Sequence, residues 1–144
     1  MQHVTINMSA LSSSQCWDAL HNESNSFLID VRSKEEWLEF GIADLSSINK
    51  EVKLVSWVLF KPYIHQNIQF IDELNAAVAD KNAKLFFICK SGSRSSSAAK
   101  EAIQDGYKNC YNVNDGFMGN IFDENSNSIP LNGWINSNLP RKML

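Results

Sequence analysis

The most informative stretch of the chain is residues 84–95, which read Lys84-Leu85-Phe86-Phe87-Ile88-Cys89-Lys90-Ser91-Gly92-Ser93-Arg94-Ser95. The first half is a short apolar run, which is typical of a β-strand buried on both faces. The second half is small and polar, and a helix rich in small residues is predicted to begin at about Arg94 and to continue to Gln104. The stretch therefore predicts a strand, a tight loop and a helix in direct succession.

The same alternation of strand and helix extends outward from this stretch. Residues 27–31 (Phe-Leu-Ile-Asp-Val) predict another buried strand, and a helix over 34–40 follows it, with Ser33 as its cap and Gly41 as its stop. The other predicted elements are strands at 4–6, 51–57 and 109–113, helices at 9–21, 65–80 and 131–138, an irregular segment at 42–50 and a loop at 114–130. This order predicts an α/β fold with a central parallel sheet and helices on both faces.

Length and charge exclude several classes of protein. With 144 residues, the chain is expected to form one domain over 1–144. A net charge of −3 argues against nucleic acid as the main partner, because binding to a phosphate backbone requires a basic surface. The longest apolar run is Leu85–Cys89, far short of the roughly 20 residues of a membrane span. Residues 1–31 contain no Lys or Arg, which argues against a secretory signal.

The cysteines and histidines indicate neither a disulfide framework nor a metal site. They are Cys16, Cys89, Cys110, His3, His21 and His65. The cysteine count is odd and no export signal is predicted, so reduced thiols in a cytoplasm are expected. No cysteine lies in a CxxC pair, and the histidines lack the spacing of metal ligands, so no metal ion is predicted.

The predicted functional site is the loop that follows the strand ending at Cys89. In open α/β sheets, ligands bind beyond the carboxyl ends of the strands. Glycine and small residues let successive backbone N–H groups point inward, and the start of the next helix adds its own unpaired N–H groups. Lys90 and Arg94 contribute two positive charges. The loop is therefore predicted to bind an anion, and its thiol is predicted to ionise more readily than that of a free cysteine.

Four segments together resemble the rhodanese (thiosulfate sulfurtransferase) family. Residues 89–95 are similar to its active loop, C-R-x-G-x-R-S, and residues 28–37 to its upstream L-[IV]-D-V-R-x-x-x-E-[FWY] signature. Residues 115–119 resemble its glycine-rich turn, and residues 133–140 its G-W…L-P ending. The resemblance extends over about residues 5–140. It implies a doubly wound α/β domain with a five-stranded, mostly parallel sheet.

The resemblance also implies an activity, which is the transfer of a sulfane sulfur. In that family a cysteine thiolate takes the outer sulfur of thiosulfate or of a persulfide donor, and a thiol or protein acceptor then removes it. By position, Cys89 is the expected nucleophile. The substrate-binding groups expected from the loop are Lys90, Ser91, Gly92, Ser93, Arg94 and Ser95. The mechanism requires no metal or organic cofactor, and the sequence does not identify the donor or acceptor used in the cell.

Two departures from the family pattern stand out. The first arginine of the usual loop is Lys90, which keeps the charge but lacks the two-pronged guanidinium, so weaker affinity for a multi-oxygen anion is expected. The usual G-H-I-P segment is Gly-Ile-Ala-Asp at residues 41–44. This second change is interpreted as a local structural variation.

The sequence leaves two alternatives to a sulfurtransferase. Phosphatases of the same fold use a C-x5-R loop, one residue longer than the C-x4-R loop from Cys89 to Arg94, and the shorter loop disfavours a phosphatase or an arsenate reductase. A non-catalytic rhodanese-like binding module is the other alternative. Such modules commonly lack the cysteine, which is present here.

Other residues have simpler expected roles. Asp30 and Arg32 are predicted to support the site through an ion pair or a helix cap, for instance between Arg32 and Glu36. Asp115, a candidate acid for a phosphatase, lies in Asn-Asp-Gly, which is first of all a turn signal. Phe117, Met118 and Trp134 are candidates for lining the pocket, and Cys16 and Cys110 are expected to be structural.

Overall fold

Two neighbouring apolar strands form the centre of the fold. In the computed structural model, which describes residues 8–144, Ser26–Asp30 pairs in parallel with Lys84–Ile88 along its whole length. Both strands consist mainly of large apolar side chains that are buried on both faces of the sheet. The two runs that the sequence marked as buried strands are thus adjacent. The strand predicted at residues 4–6 lies outside the described residues.

Residues 8–144 form eleven strands, four α-helices and one 3-10 turn. The first are β1 (Ser9–Leu11), α1 (Ser13–Asn22), β2 (Ser26–Asp30), α2 (Lys34–Phe40), β3 (Ile42–Ala43), a 3-10 turn (Ser46–Ile48), β4 (Lys53–Leu54), β5 (Val58–Leu59) and β6 (His65–Gln66). They are followed by α3 (Phe70–Ala77), β7 (Lys84–Ile88), α4 (Ser93–Gln104), β8 (Asn109–Val113), β9 (Phe122–Asp123), β10 (Ser126–Pro130) and β11 (Arg141–Lys142).

The central sheet has five strands in the order β1-β8-β7-β2-β4, and every pair in it is parallel. Helices cover both faces. The predicted α/β fold with a doubly wound parallel sheet is therefore confirmed. Three small antiparallel pairs, β3 with β11, β5 with β6, and β9 with β10, lie outside this sheet.

The sheet separates two apolar cores. Alternate residues of β7 point to opposite faces, so Leu85 and Phe87 join the core beneath α3 and α4, whereas Phe86 and Ile88 join the core beneath α1 and α2. Cys89 continues this alternation and belongs to the α3–α4 core. The last core residue of the strand is thus also the first residue of the loop.

The predicted start of the first helix was wrong. Ser9–Leu11 forms β1 on β8, and α1 begins at Ser13. Ser12 is the cap, because its hydroxyl accepts a hydrogen bond from the backbone N–H of Gln15 while the Gln15 side chain bonds back to the Ser12 backbone N–H. This reciprocal pair satisfies two backbone donors at the start of α1.

The helix predicted over 65–80 is shorter in the structure. Residues 65–66 form β6 instead, paired with β5, and α3 covers only residues 70–77. Ile68 belonged to the predicted apolar stripe but is 94% exposed. The Asn67 side chain donates to the backbone carbonyl of Ser56, which holds this segment in its non-helical path.

Four smaller predictions also need correction. The strand predicted at 51–57 is reduced to β4, and the loop predicted at 114–130 contains the hairpin of β9 and β10. The helix predicted at 131–138 is a series of turns, because the N–H groups of Trp134 and Ile135 bond to the backbone carbonyls of Gly116 and Phe117. The segment predicted as irregular, 42–50, includes β3 and the 3-10 turn. Over residues 8–144, none of the helices is long and apolar enough to cross a lipid bilayer.

Candidate active site

Cys89 lies at the carboxyl edge of the sheet, immediately after β7. Asp30 ends the neighbouring strand β2, and Asn112 lies near the end of β8 on the other side. The Cys89 residue is only 1% exposed, so its sulfur lies at the base of the loop. Cys89 therefore lies at the carboxyl end of the central strands, where the sequence predicts it.

Gly92 brings the loop back over the cysteine. Its backbone N–H donates to Cys89 Sγ over 3.1 Å. Its φ angle is +108°, and a Cβ at this position would lie 2.5 Å from the backbone oxygen of Asn114. A side chain is therefore excluded both by the backbone conformation and by the close neighbour.

The first turn of α4 leaves a row of backbone donors unpartnered. Gly92 caps the helix without a side chain that could bond these groups. Within the described part of the chain, the backbone N–H groups of residues 91, 93, 94 and 95 have no hydrogen-bond acceptor. Free N–H groups at the start of a helix form an anion-binding site, and the helix dipole adds to their effect.

The segment 114–120 holds the opposite side of the loop. The N–H groups of Phe117 and Met118 donate to the carbonyls of Cys89 and Lys90 over 2.8 and 3.0 Å. The Asn120 side chain donates to the carbonyl of Ser91 over 3.1 Å. Three successive loop carbonyls are thus occupied on this side, which orients the peptide planes and leaves the N–H groups free.

Ser95 and Asn112 form a small buried network beside the sulfur. Ser95 Oγ lies 3.2 Å from Cys89 Sγ and 2.6 Å from Asn112 Oδ1. The Asn112 amide nitrogen donates to the carbonyl of Gly92 over 3.1 Å. Both side chains are largely excluded from solvent. The hydroxyl is the only side-chain group with a hydrogen bond to the sulfur among residues 8–144.

Arg94 is bound to Glu36. Its two terminal nitrogens donate to the two carboxylate oxygens over 2.7 and 2.8 Å. Burial raises the pKa of Glu36, but hydrogen bonds from Arg94 and Ser33 outweigh it and bring the pKa below the ordinary glutamate value. The hydrogen bonds to Glu36 likewise hold the pKa of Arg94 above its ordinary value. The suggested pairing of Glu36 with Arg32 was therefore wrong.

Arg32 pairs with Asp30 instead. Both are buried, and Nη2 of Arg32 lies 2.8 Å from Oδ2 of Asp30 and donates to the carbonyl of Gly41 over 2.8 Å. The guanidinium stacks 4.0 Å from the centre of the Phe117 ring. The backbone N–H of Phe117 in turn donates to the backbone carbonyl of Cys89. The pair thus lies beneath the segment that supports the loop.

The outer face of the loop is open to solvent. Lys90, Ser91 and Ser93 are exposed. In contrast to Arg94, the ammonium of Lys90 forms no ion pair with any residue of the described chain. Because Glu36 offsets the charge of Arg94, Lys90 carries the uncompensated positive charge of the loop.

The remaining candidates have structural positions. Asp115 is buried and accepts hydrogen bonds from the N–H and hydroxyl of Ser13 and from the N–H of Gly133. Phe117 and Trp134 are fully buried core residues, whereas Met118 is partly exposed. Across residues 8–144, no group of three His, Cys, Asp or Glu side chains is arranged to hold a metal ion.

The two other cysteines are buried. Burial raises the pKa of Cys16 far above the ordinary thiol value, and it raises the pKa of Cys110 to about 12. Both thiols are therefore held in the protonated form at neutral pH, as expected of structural cysteines.

Sequence reasoning did not find three supporting residues, which are Glu36 as the partner of Arg94, Asn112 and Asn120. Glu36 gave a partial signal, because it follows Ser33 at the spacing of a capping box. Asn112 occupies an inward position of a short strand, where a polar residue between Tyr111 and Val113 is unusual. Asn120 gave no signal beyond the general loop composition of its segment.

The sequence profile of the Rhodanese-like domain matches residues 12–120. The chain belongs to the rhodanese-like domain family. The match contains the whole loop from Cys89 to Ser95, the strand that ends at Asp30 and the supporting segment 114–120.

Three similar proteins place this rhodanese-like chain among its relatives. Protein RC0915 of Rickettsia conorii is 42% identical over 131 residues, which cover 90% of this chain and 94% of that protein. The crystal structure of Rv0390 from M. tuberculosis is 31% identical, has a TM-score of 0.83, and is matched over 96% of this chain and all of its own. A polysulfide-sulfur transferase homodimer from Wolinella succinogenes shares the fold, with 21% identity, a TM-score of 0.63, and coverage of 95% of this chain and 80% of its own.

Proposed function

We propose that this protein is a sulfurtransferase that carries a sulfane sulfur as a persulfide on Cys89. The observation that supports this proposal is the 3.1 Å hydrogen bond from the Gly92 N–H to the cysteine sulfur, within a loop whose other N–H groups are unpartnered. These donors stabilise negative charge on the sulfur and on a second sulfur bonded to it. A thiolate so placed can serve as a nucleophile.

In the first step, the Cys89 thiolate attacks the outer sulfur of the donor. With thiosulfate, a new S–S bond forms, the bond between the two thiosulfate sulfurs breaks, and sulfite leaves with the electron pair. The product is a cysteine persulfide that carries one negative charge. The free N–H groups of residues 91, 93, 94 and 95 line the loop in which this charge develops, so they favour the step.

In the second step, an acceptor nucleophile attacks the outer sulfur of the persulfide. The S–S bond breaks and its electron pair returns to Cys89 as the thiolate. Cyanide yields thiocyanate, and a thiolate acceptor yields a new persulfide. No net oxidation or reduction takes place in the cycle, so no redox cofactor is needed.

The shape of the site favours donors with a projecting sulfur atom. The Cys89 residue is 1% exposed, so only an atom that enters the loop can reach its sulfur. The exposed ammonium of Lys90 attracts an anion toward this entrance. A small anionic donor such as thiosulfate meets both conditions, and the acceptor is a small thiol or a thiol presented by a protein.

The same loop disfavours phosphate-monoester chemistry. It places only four residues between Cys89 and Arg94, and the guanidinium of Arg94 is already bound by both oxygens of Glu36. Asp115 is held by Ser13 and Gly133 and is therefore not available as a general acid. Turnover of p-nitrophenyl phosphate is expected to be far slower than sulfur transfer.

The decisive experiment is the intact mass of the purified, reduced protein after brief exposure to thiosulfate. The expected result is a gain of one sulfur atom, located at Cys89 by peptide mapping and removed by cyanide. Cys89→Ser is expected to abolish the gain. Cys110→Ser is the matched control, because this buried thiol is not part of the loop, and it is expected to acquire one sulfur like the wild type.

The contrary outcome is equally clear. If neither thiosulfate nor a small persulfide donor loads Cys89 in a protein shown to be folded and reduced, the sulfurtransferase proposal is wrong. The chain would then be a binding module, and Cys89→Ser would preserve its function in cells.

A further inference from the structure

The Ser95 hydroxyl has one hydrogen and three acceptors within reach. They are Asn112 Oδ1 at 2.6 Å, the Gly92 carbonyl at 3.1 Å and Cys89 Sγ at 3.2 Å. The hydrogen can satisfy only one of them well at a time. The direction of this hydrogen decides whether the sulfur faces the hydroxyl hydrogen or a lone pair of the hydroxyl oxygen.

The orientation of the Asn112 amide is fixed by its second contact. Its nitrogen donates to the Gly92 carbonyl, which has no hydrogen to offer, so its oxygen must face Ser95. Over the described residues, the Ser95 hydroxyl is the only donor to this oxygen. Because Asn112 is buried, a turn of the hydroxyl toward the sulfur would leave the amide oxygen unsatisfied.

We infer that Asn112 is a positioning residue that holds the Ser95 hydrogen away from Cys89 and thereby favours the protonated thiol in the resting site. A chain of hydrogen bonds then runs from the Cys89 thiol to Ser95 and from Ser95 to Asn112. On ionisation the hydroxyl turns, gives up Asn112 and donates to the thiolate. This inference rests on the proposed function, because it assigns a role in controlling the proposed nucleophile.

Removal of the amide is therefore expected to make the thiolate easier to form. In Asn112→Ala the Ser95 hydroxyl loses its nearest acceptor, so the sulfur competes for its hydrogen only with the Gly92 carbonyl at 3.1 Å. The energy of one neutral hydrogen bond corresponds to about a fivefold increase in the ionised fraction below the titration midpoint. The charged groups on or packed around the loop are unchanged in this variant; they are Lys90, Arg94, Glu36, Asp30, Arg32 and Asp115.

The test is a pH titration of the thiolate ultraviolet absorbance, which needs no reagent to reach the buried sulfur. Each variant is measured against the same variant carrying Cys89→Ser, so that the difference reports Cys89 alone. Asn112→Ala is expected to shift the curve to lower pH, and Asn112→Asp, which adds a negative charge beside Ser95, to higher pH. The matched control is Asn109→Ala, on the same strand, whose side chain bonds to the carbonyl of Asn82.

A second comparison separates positioning from simple support of the loop. If Asn112 acts through Ser95, its removal shifts the titration in the wild type but not in a Ser95→Ala background. An equal shift in both backgrounds would show that Asn112 acts only by anchoring Gly92, and no shift in either would also overturn the inference. If Asn112→Ala fails to fold, Asn112→Leu, which keeps the side-chain volume and adds neither charge nor hydrogen-bonding group, decides the question in the two backgrounds.

The titration also distinguishes this inference from the proposed function. It uses no sulfur donor, so a wild type that loads sulfur normally while Asn112→Ala titrates like wild type counts against Asn112 alone. A wild type that never loads sulfur overturns the proposed function, and with it the catalytic meaning of the Asn112 contact.

Discussion

Glu36 binds Arg94 through two hydrogen bonds of 2.7 and 2.8 Å, between the first turn of α2 and the first turn of α4. The same carboxylate also accepts hydrogen bonds from the N–H and hydroxyl of Ser33, which caps α2. One side chain therefore closes a helix terminus and fixes the charged end of the candidate active loop. The two residues are 58 positions apart, so the contact joins distant parts of the chain.

This pair is expected to be strongly coupled in stability. Arg94→Ala leaves a nearly buried carboxylate without its cation and should lower the free energy of unfolding by about 2 kcal/mol. Glu36→Gln added to Arg94→Ala removes the stranded charge, so the double variant should be less destabilised than the sum of the two single variants. Urea unfolding of the four proteins measures the coupling, and strictly additive effects would contradict the proposed pairing.

The pair also predicts how stability depends on pH. The folded pKa of Glu36 lies below its ordinary value, so folding favours the ionised form. Its contribution is fully present above the unfolded pKa of about 4.3 and is lost as pH falls through the lower folded value. The stability difference between wild type and Glu36→Gln should be constant above about pH 5 and should shrink below it.

Arg94→Ala provides the control for this pH dependence. The guanidinium is the partner that lowers the pKa of Glu36, so in its absence the effect of Glu36→Gln should depend much less on acidic pH. Urea unfolding between neutral and acidic pH measures both differences. An equal pH dependence in the two backgrounds would show that Arg94 is not the cause.

Gly92 offers a test of the loop geometry. Gly92→Ala and Gly106→Ala both place a side chain on a backbone with φ above +100°, and each should cost about 1 kcal/mol in strain. Only at Gly92 does the added Cβ meet a neighbour, the Asn114 oxygen at 2.5 Å, whereas at Gly106 the space is open. Gly92→Ala should therefore lower sulfur transfer about a hundredfold through displacement of the N–H donors.

The control in this comparison is Gly106→Ala, which should keep nearly full activity despite a similar strain. Rates of sulfur transfer from thiosulfate to cyanide, measured at a temperature where both variants are folded, separate the two effects. Equal activities would show that the close approach of Gly92 to Asn114 has no part in holding the site.

The fold was largely predictable because its strongest signals are local. The apolar runs of β2 and β7 have few alternatives to a central strand, and Ser33 and Gly41 mark the ends of α2 by their cap chemistry. The prediction of a helix over 65–80 was wrong for the opposite reason, because contacts distant in sequence decide this segment. Its apolar spacing was helical, but Ile68 is exposed and the pairing of β6 with β5 fixes residues 65–66 in an extended form.

The candidate site was predictable only in its contiguous part. Residues 89–95 are consecutive, so the cysteine, the glycine turn and the helix start could be read together. The contacts of Arg94 with Glu36 and of Ser95 with Asn112 span 58 and 17 positions, and such pairings depend on how the strands are ordered in the sheet. The order of the strands is not visible in a single sequence. These partners could therefore be found only in the structure.

Lys90 should govern the capture of the anionic donor. Its ammonium is exposed and has no ion-pair partner in residues 8–144, whereas Arg94 is already paired. Lys90→Gln should therefore raise the KM for thiosulfate severalfold with little change in kcat, because the charge attracts the donor but does not contact the sulfur that reacts. The effect should shrink as salt is added, since an exposed charge is screened.

The lysine also replaces the arginine that is usual in the rhodanese loop, so the reverse change is informative. Lys90→Arg restores a planar guanidinium with paired donors and should lower the KM for thiosulfate below that of the wild type. Lys100→Gln, an exposed lysine within α4 and ten residues from Lys90, removes the same charge away from the loop and should leave the KM unchanged. If Lys100→Gln raised the KM as much as Lys90→Gln, the overall charge of the protein, rather than the loop, would be what attracts the donor.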